Sequence, residues 1–172
     1  VNLWFTDEAN ATAIYGHIRD WNVSAVTDMD EAFLNRATFN ENISGWDVSN
    51  VTNLRMMFHG ATVFNQPIGN WNTSKVTTTY ATFREAASFN QPIGFWDMSK
   101  VKFMGFMFAK ATAFNQPIGN WDISTAVSAV GMFDKATSFN QAIGNWNTSS
   151  VTDMRWMFLQ ASAFNQPIGN WN

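Results

Sequence analysis

The eight residues FNQPIGNW stand at positions 64–71 and return unchanged at 114–121 and 164–171. The near copies FNQPIGFW and FNQAIGNW start at residues 89 and 139, so the five starts are spaced by 25 residues. A phrase that recurs at a fixed interval indicates a structural unit, because an active site is needed only once.

The same 25-residue interval continues along nearly the whole chain without insertion or deletion. Tryptophan marks it at Trp21, Trp46, Trp71, Trp96, Trp121, Trp146 and Trp171, and isoleucine precedes each tryptophan by three residues. Phenylalanine forms two further columns, Phe33, Phe58, Phe83, Phe108, Phe133 and Phe158, and Phe39, Phe64, Phe89, Phe114, Phe139 and Phe164. The unit reads F-N-Q-P-I-G-N-W-[DN]-x-S-x-V-T-x-M-x-x-M-F-x-x-A-x-x, in about six and a half copies.

This regularity predicts a repeat solenoid. Ordering a unit costs roughly 1.5 kcal/mol per residue, and its apolar side chains return about 2–3 kcal/mol each only when they are fully buried. A single coil leaves half of each apolar side chain exposed to solvent, whereas stacked coils bury the side chains of their neighbours. The Phe, Ile and Trp columns are therefore expected to run as ladders through the interior.

Each coil is expected to hold one short helical turn and one short parallel strand. In the stretch 51–58, Val51, Leu54, Met57 and Phe58 have helical spacing. The Pro- and Gly-containing stretch supports only a short strand, from the isoleucine to the residue after the tryptophan. Six asparagines are expected to form an amide ladder between coils; the alternative is that they are plain solvated turn residues. The six are Asn40, Asn65, Asn90, Asn115, Asn140 and Asn165.

The unit, read from residues 114–133 and 139–158, resembles the 25–26-residue repeat of the BspA-type leucine-rich-repeat surface proteins. The opening segment ATAIYGHIRDWNVSAVTDM, residues 11–29, is similar to the segment that often precedes such arrays. The resemblance implies a leucine-rich-repeat-like solenoid of about six to seven coils, on a cell surface or in secreted material. It brings no catalytic residues. The fifth unit departs from the pattern, with Ala126 in the Val slot and Ala129 in the Met slot.

We expect residues 1–20 to form an N-terminal capping segment and residues 21–172 to form one solenoid domain that breaks off within a unit. Such an open last coil is expected to associate with another molecule. The net charge of −3, with 13% charged residues, gives no basic footprint for nucleic acid. No stretch approaches 18 continuous apolar residues, so no membrane span is expected. The absence of cysteine fits a bacterial surface protein and is equally compatible with the cytosol.

Few residues suggest chemistry. His17 and His59 are the only histidines, and neither has a motif partner. Asp97 and Asp122 occupy one column on neighbouring coils, where the expectation is that each caps its own turn; a shared Ca²⁺ is the alternative. Six N-x-[ST] sequons occur. The expectation is that the spelling of the repeat generates them and that they are bare in a bacterial protein; glycosylation in a eukaryotic secreted protein is the alternative. They begin at Asn10, Asn22, Asn42, Asn50, Asn72 and Asn147.

The candidate binding residues occupy slots that the repeat leaves variable. They lie between the inward-facing positions, so they are expected to point outward, and exposed aromatic residues with arginine dominate binding hot spots. The alternative is that they support the helical layer or are scattered surface apolar residues. The set is Arg55, Met56, Tyr80, Phe103, Phe106, Arg155 and Trp156.

These observations favour a non-enzymatic, extracellular or cell-surface repeat module for adhesion or recognition of a host, matrix or glycan ligand. The alternative is a structural subunit of an extracellular filament or surface layer, built by end-to-end or lateral packing. No cofactor is expected. The expected partners are a protein or glycan ligand and, through the open C-terminal coil, a second copy of the chain.

Overall fold

The computed structural model describes residues 1–171. Asn172, the last position of the expected array, lies outside the described residues. The chain opens with helix α1, Asn2–Thr6, helix α2, Glu8–Tyr15, and a 3-10 turn, Ile18–Asp20. The Asp7 carboxylate accepts a hydrogen bond from the N–H of Asn10 at 3.0 Å and so caps the start of α2.

Helix α1 lies against the first repeat. The ring of Phe5 meets Phe33 and Phe39 edge to face, with centroids 6.1 and 5.8 Å away. Trp4, which is buried, contacts Trp21 in the same geometry at 6.0 Å. The helix therefore covers the apolar flank that the first Phe column would otherwise expose.

From residue 28 onward, equivalent positions of successive repeats lie side by side. Isolated parallel bridges join residues 25 apart, at Asp28, Asn53, Thr78, Phe103, Ser128 and Asp153. Each bridge residue begins a stretch of consecutive turns, which we call the turn ribbon: residues 28–35, 53–60, 78–85, 103–110, 128–135 and 153–160. Within it, alternate N–H groups of one repeat donate to carbonyls of the next, as Glu31 does to Arg55 at 3.0 Å and Phe33 to Met57 at 2.8 Å.

The prediction of a helical turn at 51–58 is wrong in its backbone, although its inward-facing residues are buried as expected. Met56 has a φ of 51° and Gly60 a φ of 72°, and this left-handed pair recurs in the other repeats. A right-handed helix cannot continue through such residues. The alternate N–H groups bond the neighbouring repeat instead of a carbonyl four residues earlier.

The strand was also predicted in the wrong place. At the expected position, the N–H of Trp71 donates to the carbonyl of Ile68 at 3.2 Å, which makes a turn. In the described residues, the parallel pairing lies instead at the first residue of each turn ribbon. Proline and glycine in the Q-P-I-G-N-W phrase favour this turn over extended backbone.

The interior consists of aromatic columns, as the sequence predicted. Phe58, Phe83 and Phe108 are fully buried and stack with centroids 5.6 and 5.8 Å apart. Within a repeat the two Phe columns touch, since Phe83 stacks on Phe89 at 3.9 Å. Each repeat tryptophan from Trp46 onward also donates its indole N–H to an isoleucine carbonyl 28 residues earlier.

The asparagine ladder is confirmed. The side-chain oxygen of Asn65 accepts the backbone N–H of Asn90 at 2.9 Å, and the same bond links every neighbouring pair of the column. Beside it, repeats approach too closely for a side chain. A Cβ added to Gly69 would meet the carbonyl oxygen of Pro92, and the same contact recurs at Gly94, Gly119 and Gly144.

Candidate functional site

The turn ribbon sets the direction of the candidate binding residues. Met56, Phe106 and Trp156 occupy its first left-handed position, with φ of 51°, 55° and 60°. Trp156 is 58% exposed there, and Met56 and Phe106 are half-buried, so these longer side chains reach the outer surface of the ribbon, whereas the smaller Ala81 is buried. The same position is held by Ala81 and Gly131 in other repeats, so its identity is not dictated by stacking.

Tyr80 and Phe106 form the centre of the candidate site. Their rings meet edge to face with centroids 5.9 Å apart. The ring of Phe106 lies over Gly131, where an added Cβ would come within 2.3 Å of the ring. Gly105 lies between Tyr80 and Val130, with its virtual Cβ 3.4 and 2.8 Å from them. The two glycines therefore make room for the aromatic side chains of neighbouring repeats.

Arginine joins this aromatic pair in a way the sequence analysis missed. The guanidinium carbon of Arg84 lies 5.3 Å from the centroid of Phe106, within cation–π range. Arg155, which was predicted, lies 5.6 Å from the centroid of Trp156 and also pairs with Asp153 at 2.9 Å.

The remaining predicted residues stand apart from that centre. Phe103 is 50% exposed and makes no ring contact within the described residues. Arg55 is committed to the preceding repeat, where its guanidinium contacts Asp30 and Glu31, both at 2.9 Å. These hydrogen bonds raise the pKa of Arg55, Glu31 being the larger cause. The structure thus joins Tyr80 to Phe106 and Arg155 to Trp156, but not Arg55 to the aromatic residues.

A row of charged residues lies beside the aromatic centre, and no sequence motif predicted it. Lys110 binds Glu85 at 2.6 Å, and His59 lies 4.0 Å from the same carboxylate. Burial, and then the charge of Arg84, lowers the pKa of His59. The hydrogen bond from Lys110 lowers the pKa of Glu85. These residues share a surface only because the repeat places residues 25 apart in contact, as it does Glu85 and Lys110.

Phe95 is a second omission, and here a signal was present. It is 92% exposed and occupies the slot that holds asparagine at residues 70, 120, 145 and 170. A large apolar residue in a polar column could have been singled out from the repeat alignment. It has no ring contact within the described part of the chain, so it lies outside the aromatic centre.

The Asp column caps turns. The Asp97 carboxylate accepts from the backbone N–H and the hydroxyl of Ser99 at 2.9 and 2.6 Å, and Asp122 accepts from the N–H of Ser124 at 3.0 Å. The hydrogen bonds from the hydroxyl and then the N–H of Ser99 lower the pKa of Asp97. Those from Ser124 lower the pKa of Asp122 in the same way. Within residues 1–171, no three His, Cys, Asp or Glu side chains are grouped so that they could hold a metal ion.

In chemical terms, the candidate site offers aromatic faces, a guanidinium group and exposed apolar area. Such groups suit the binding of a ligand surface. Among the described helices, none has the length and apolar character needed to cross a membrane.

A family described as "Mycoplasma protein of unknown function, DUF285" matches residues 4–111 and again residues 91–172. No curated protein and no solved structure matches the chain. Because the two matches together cover nearly the whole sequence, the chain is a tandem-repeat protein that belongs to the DUF285 family.

Proposed function

We propose that the protein is a non-enzymatic recognition module, which acts outside the cell or on its surface and binds a protein or glycan ligand. The observation that carries the proposal is the aromatic ridge, defined as Tyr80, Phe103, Phe106 and Trp156 on the outer surface of the turn ribbon. Its exposed members, Phe103 and Trp156, are 50% and 58% accessible. Tyrosine, tryptophan and arginine are the residue types enriched in binding hot spots.

The repeat does not require these aromatic residues. The slot of Tyr80 holds Gly105 and Val130 in the next two repeats, and that of Phe106 holds Ala81 and Gly131. An aromatic side chain adds about 0.5–1.5 kcal/mol beyond its buried area when it pairs with another ring, so a ligand ring or sugar face laid along the ridge would gain from several contacts.

We propose that the stacked repeats form a leucine-rich-repeat-like solenoid, and that the family kinship extends to the BspA-type surface proteins. The 25-residue register of the bridges and the F-N-Q-P-I-G-N-W phrase support both. Surface location and adhesion rest on that kinship and on the ridge.

Glycan and matrix-protein arrays probed with the purified chain test the proposal. A variant in which all four ridge residues become alanine is expected to lose the binding that the wild type shows. Alanine suits the left-handed positions, because Ala81 already adopts a φ of 54° there. Phe95→Ala is the matched control, since it removes an exposed aromatic residue elsewhere. Undiminished binding by the folded ridge variant would reject the ridge.

Light scattering over a concentration series separates this proposal from a filament subunit. A recognition module keeps a constant mass, whereas a subunit that packs end to end grows with concentration. Growth that survives in the ridge variant would favour the structural role.

A further inference from the structure

The backbone hydrogen bonds that join one turn ribbon to the next all run in one direction. At each of the five junctions between ribbons, four N–H groups of the earlier repeat donate to four carbonyls of the later one. At the first junction, for example, the N–H groups of Met29, Glu31 and Phe33 are donors and the carbonyls of residues 53, 55 and 57 are acceptors. In every ribbon except the first, these four carbonyls therefore accept hydrogen bonds from the preceding ribbon.

The equivalent carbonyls of the first ribbon belong to Asp28, Asp30, Ala32 and Leu34. No donor to any of them is present in residues 1–171. Because aligned peptide groups sum their dipoles, this edge carries a partial negative charge, as the C-terminus of a helix does. Free carbonyls beside a cleft call for a donor from solvent or from a ligand.

A cleft of about 720 Å³ opens at this edge, between the ribbon and the two helices. Asp28, Asp30 and Ala32 form part of its wall, and Tyr15, Trp21 and Trp46 supply aromatic surface. No lysine or arginine side chain lines it.

We propose that this cleft binds an organic cation that carries N–H donors, an alkylammonium or guanidinium group on an apolar stem. The free carbonyls and the carboxylates of Asp28 and Asp30 accept its hydrogen bonds, and the aromatic wall packs against the stem and attracts the charge. The cleft is separate from the aromatic ridge, so the inference does not rest on the proposed function.

One carboxylate at the edge of the cleft, that of Asp30, already binds a guanidinium group. Arg55 reaches back from the second repeat and donates to both carboxylate oxygens of Asp30, at 3.0 and 2.9 Å. Asp28 has no such partner within the described residues. Its carboxylate accepts only the backbone N–H of Asp30, at 2.9 Å, and so keeps acceptor capacity and negative charge for a ligand.

Two other occupants fit less well. An extended β-strand presents N–H and C=O groups together on each edge, so its carbonyls would face those of the ribbon. A calcium ion takes six to eight oxygen ligands at about 2.3–2.6 Å, and one of the two carboxylates at this edge, that of Asp30, already binds Arg55 through both oxygens. A cation with several N–H groups suits a row of separate acceptors.

Calorimetric titration of the 172-residue protein tests the site with four probes: N-acetyl-lysine methylamide, N-acetyl-arginine methylamide, spermidine and tetramethylammonium. The first three are expected to bind with an affinity that falls as salt is added. Tetramethylammonium has the charge but no N–H donor, and is expected to bind at least about tenfold more weakly, which corresponds to about 1.4 kcal/mol. Tighter binding of an amino-acid derivative assigns the site to a peptide side chain, and tighter binding of spermidine assigns it to a free polyamine.

The deciding variant is Asp28→Asn. It keeps the turn, because the side-chain oxygen of Asn53 accepts the matching N–H of Arg55 at 2.8 Å in the next repeat. Asp153→Asn is the matched control, since Asp153 holds the same repeat position at the last bridge. We expect a loss of about fivefold or more in Asp28→Asn and none in the control. Equal affinity of wild type and Asp28→Asn, equal binding of tetramethylammonium, or no binding of any amine at about 10 mM would overturn the proposal.

Discussion

At the scale of single residues, the repeat tryptophan combines two kinds of contact. Trp96 is 3% exposed and stacks on Trp71 with centroids 6.3 Å apart. Its indole N–H donates to the carbonyl of Ile68 at 3.0 Å, in the preceding repeat. One side chain thus supplies both apolar area and a hydrogen bond between repeats, which explains why the position does not vary.

We predict that Trp96→Ala lowers the free energy of unfolding by about 3–5 kcal/mol, because it leaves a cavity and an unpaired carbonyl. Trp156→Ala should cost under about 1 kcal/mol, since Trp156 is 58% exposed. Urea denaturation of both variants measures the difference. Similar losses would contradict the assignment of inside and outside.

The Asp column predicts an acid limb of stability. Since Ser99 and Ser124 depress the folded pKa values of Asp97 and Asp122, the fold favours their charged forms. The resulting stability is present above the unfolded pKa of about 3.9 and is lost as pH falls through the folded pKa. Asn72 serves in the same slot, where its side-chain oxygen accepts from the N–H of Ser74 at 3.1 Å.

The double substitution Asp97→Asn with Asp122→Asn should therefore leave the urea midpoint at pH 7 nearly unchanged and reduce its fall between about pH 4 and pH 2. The charge-matched control is Glu8→Gln with Asp20→Asn, at two exposed positions. A fall as steep as that of the wild type would show that the caps do not contribute to the acid limb.

At the scale of elements, the 25-residue period was sufficient to predict the columns but not the local backbone. Leu54, Met57 and Phe58 have spacing that suits one face of a helix, and the turn ribbon buries the same residues. The left-handed positions could not be recognised from the sequence, because residues other than glycine, such as Ala81 and Glu85, occupy them. What decides the backbone is the hydrogen bonding between repeats, which periodicity alone does not specify.

The outer surface was predictable in position but not in composition. The variable slots suggested Tyr80 and Phe106, whose rings meet edge to face, and the structure adds Arg84 through a cation–π contact. That contact depends on the separation of neighbouring repeats and on the direction of each side chain. Neither can be read from a single repeat unit.

The glycine column gives a prediction at this scale. A Cβ on Gly119 would meet the carbonyl oxygen of Ala142, and backbone in a neighbouring repeat cannot move aside as a flexible side chain would. Gly119→Ala should therefore destabilise the fold by about 1–3 kcal/mol. Gly45→Ala, where nothing lies within 4 Å, should stay within about 0.5 kcal/mol of the wild type. Thermal unfolding of the pair decides, and equal melting temperatures would mean that the repeats separate freely.

At the scale of the whole molecule, the hydrogen bonds between repeats in residues 1–171 join neighbouring repeats, with partners 24 to 28 residues apart. Stability in such an array is approximately a sum of local terms and neighbour terms, so damage at one junction decays along the chain. The N-terminal junction depends on α1, where Phe5 packs on Phe33 and Phe39 and lies 4.3 Å below the guanidinium carbon of Arg36.

Phe5→Ala should therefore loosen the first repeat selectively. We expect faster amide hydrogen exchange at Met29, Glu31 and Phe33, whose N–H groups bond the second repeat, and little change at Ala81 and Phe83 in the third. Truncating a buried Phe costs about 3–5 kcal/mol in a packed core, and the half-buried Phe5 should cost less, so local opening is favoured over global unfolding.

Ile14→Ala is the control for this experiment, because Ile14 lies on α2 but is 57% exposed. It should leave exchange unchanged throughout. A uniform rise in amide exchange over all the ribbons in Phe5→Ala would mean that the array unfolds as one unit. The coupling between neighbouring repeats would then be strong enough for the loss of one aromatic contact to destabilise the last repeat. A gradient that fades by the third repeat would instead measure the coupling directly, as the ratio of the opening free energies lost at successive junctions.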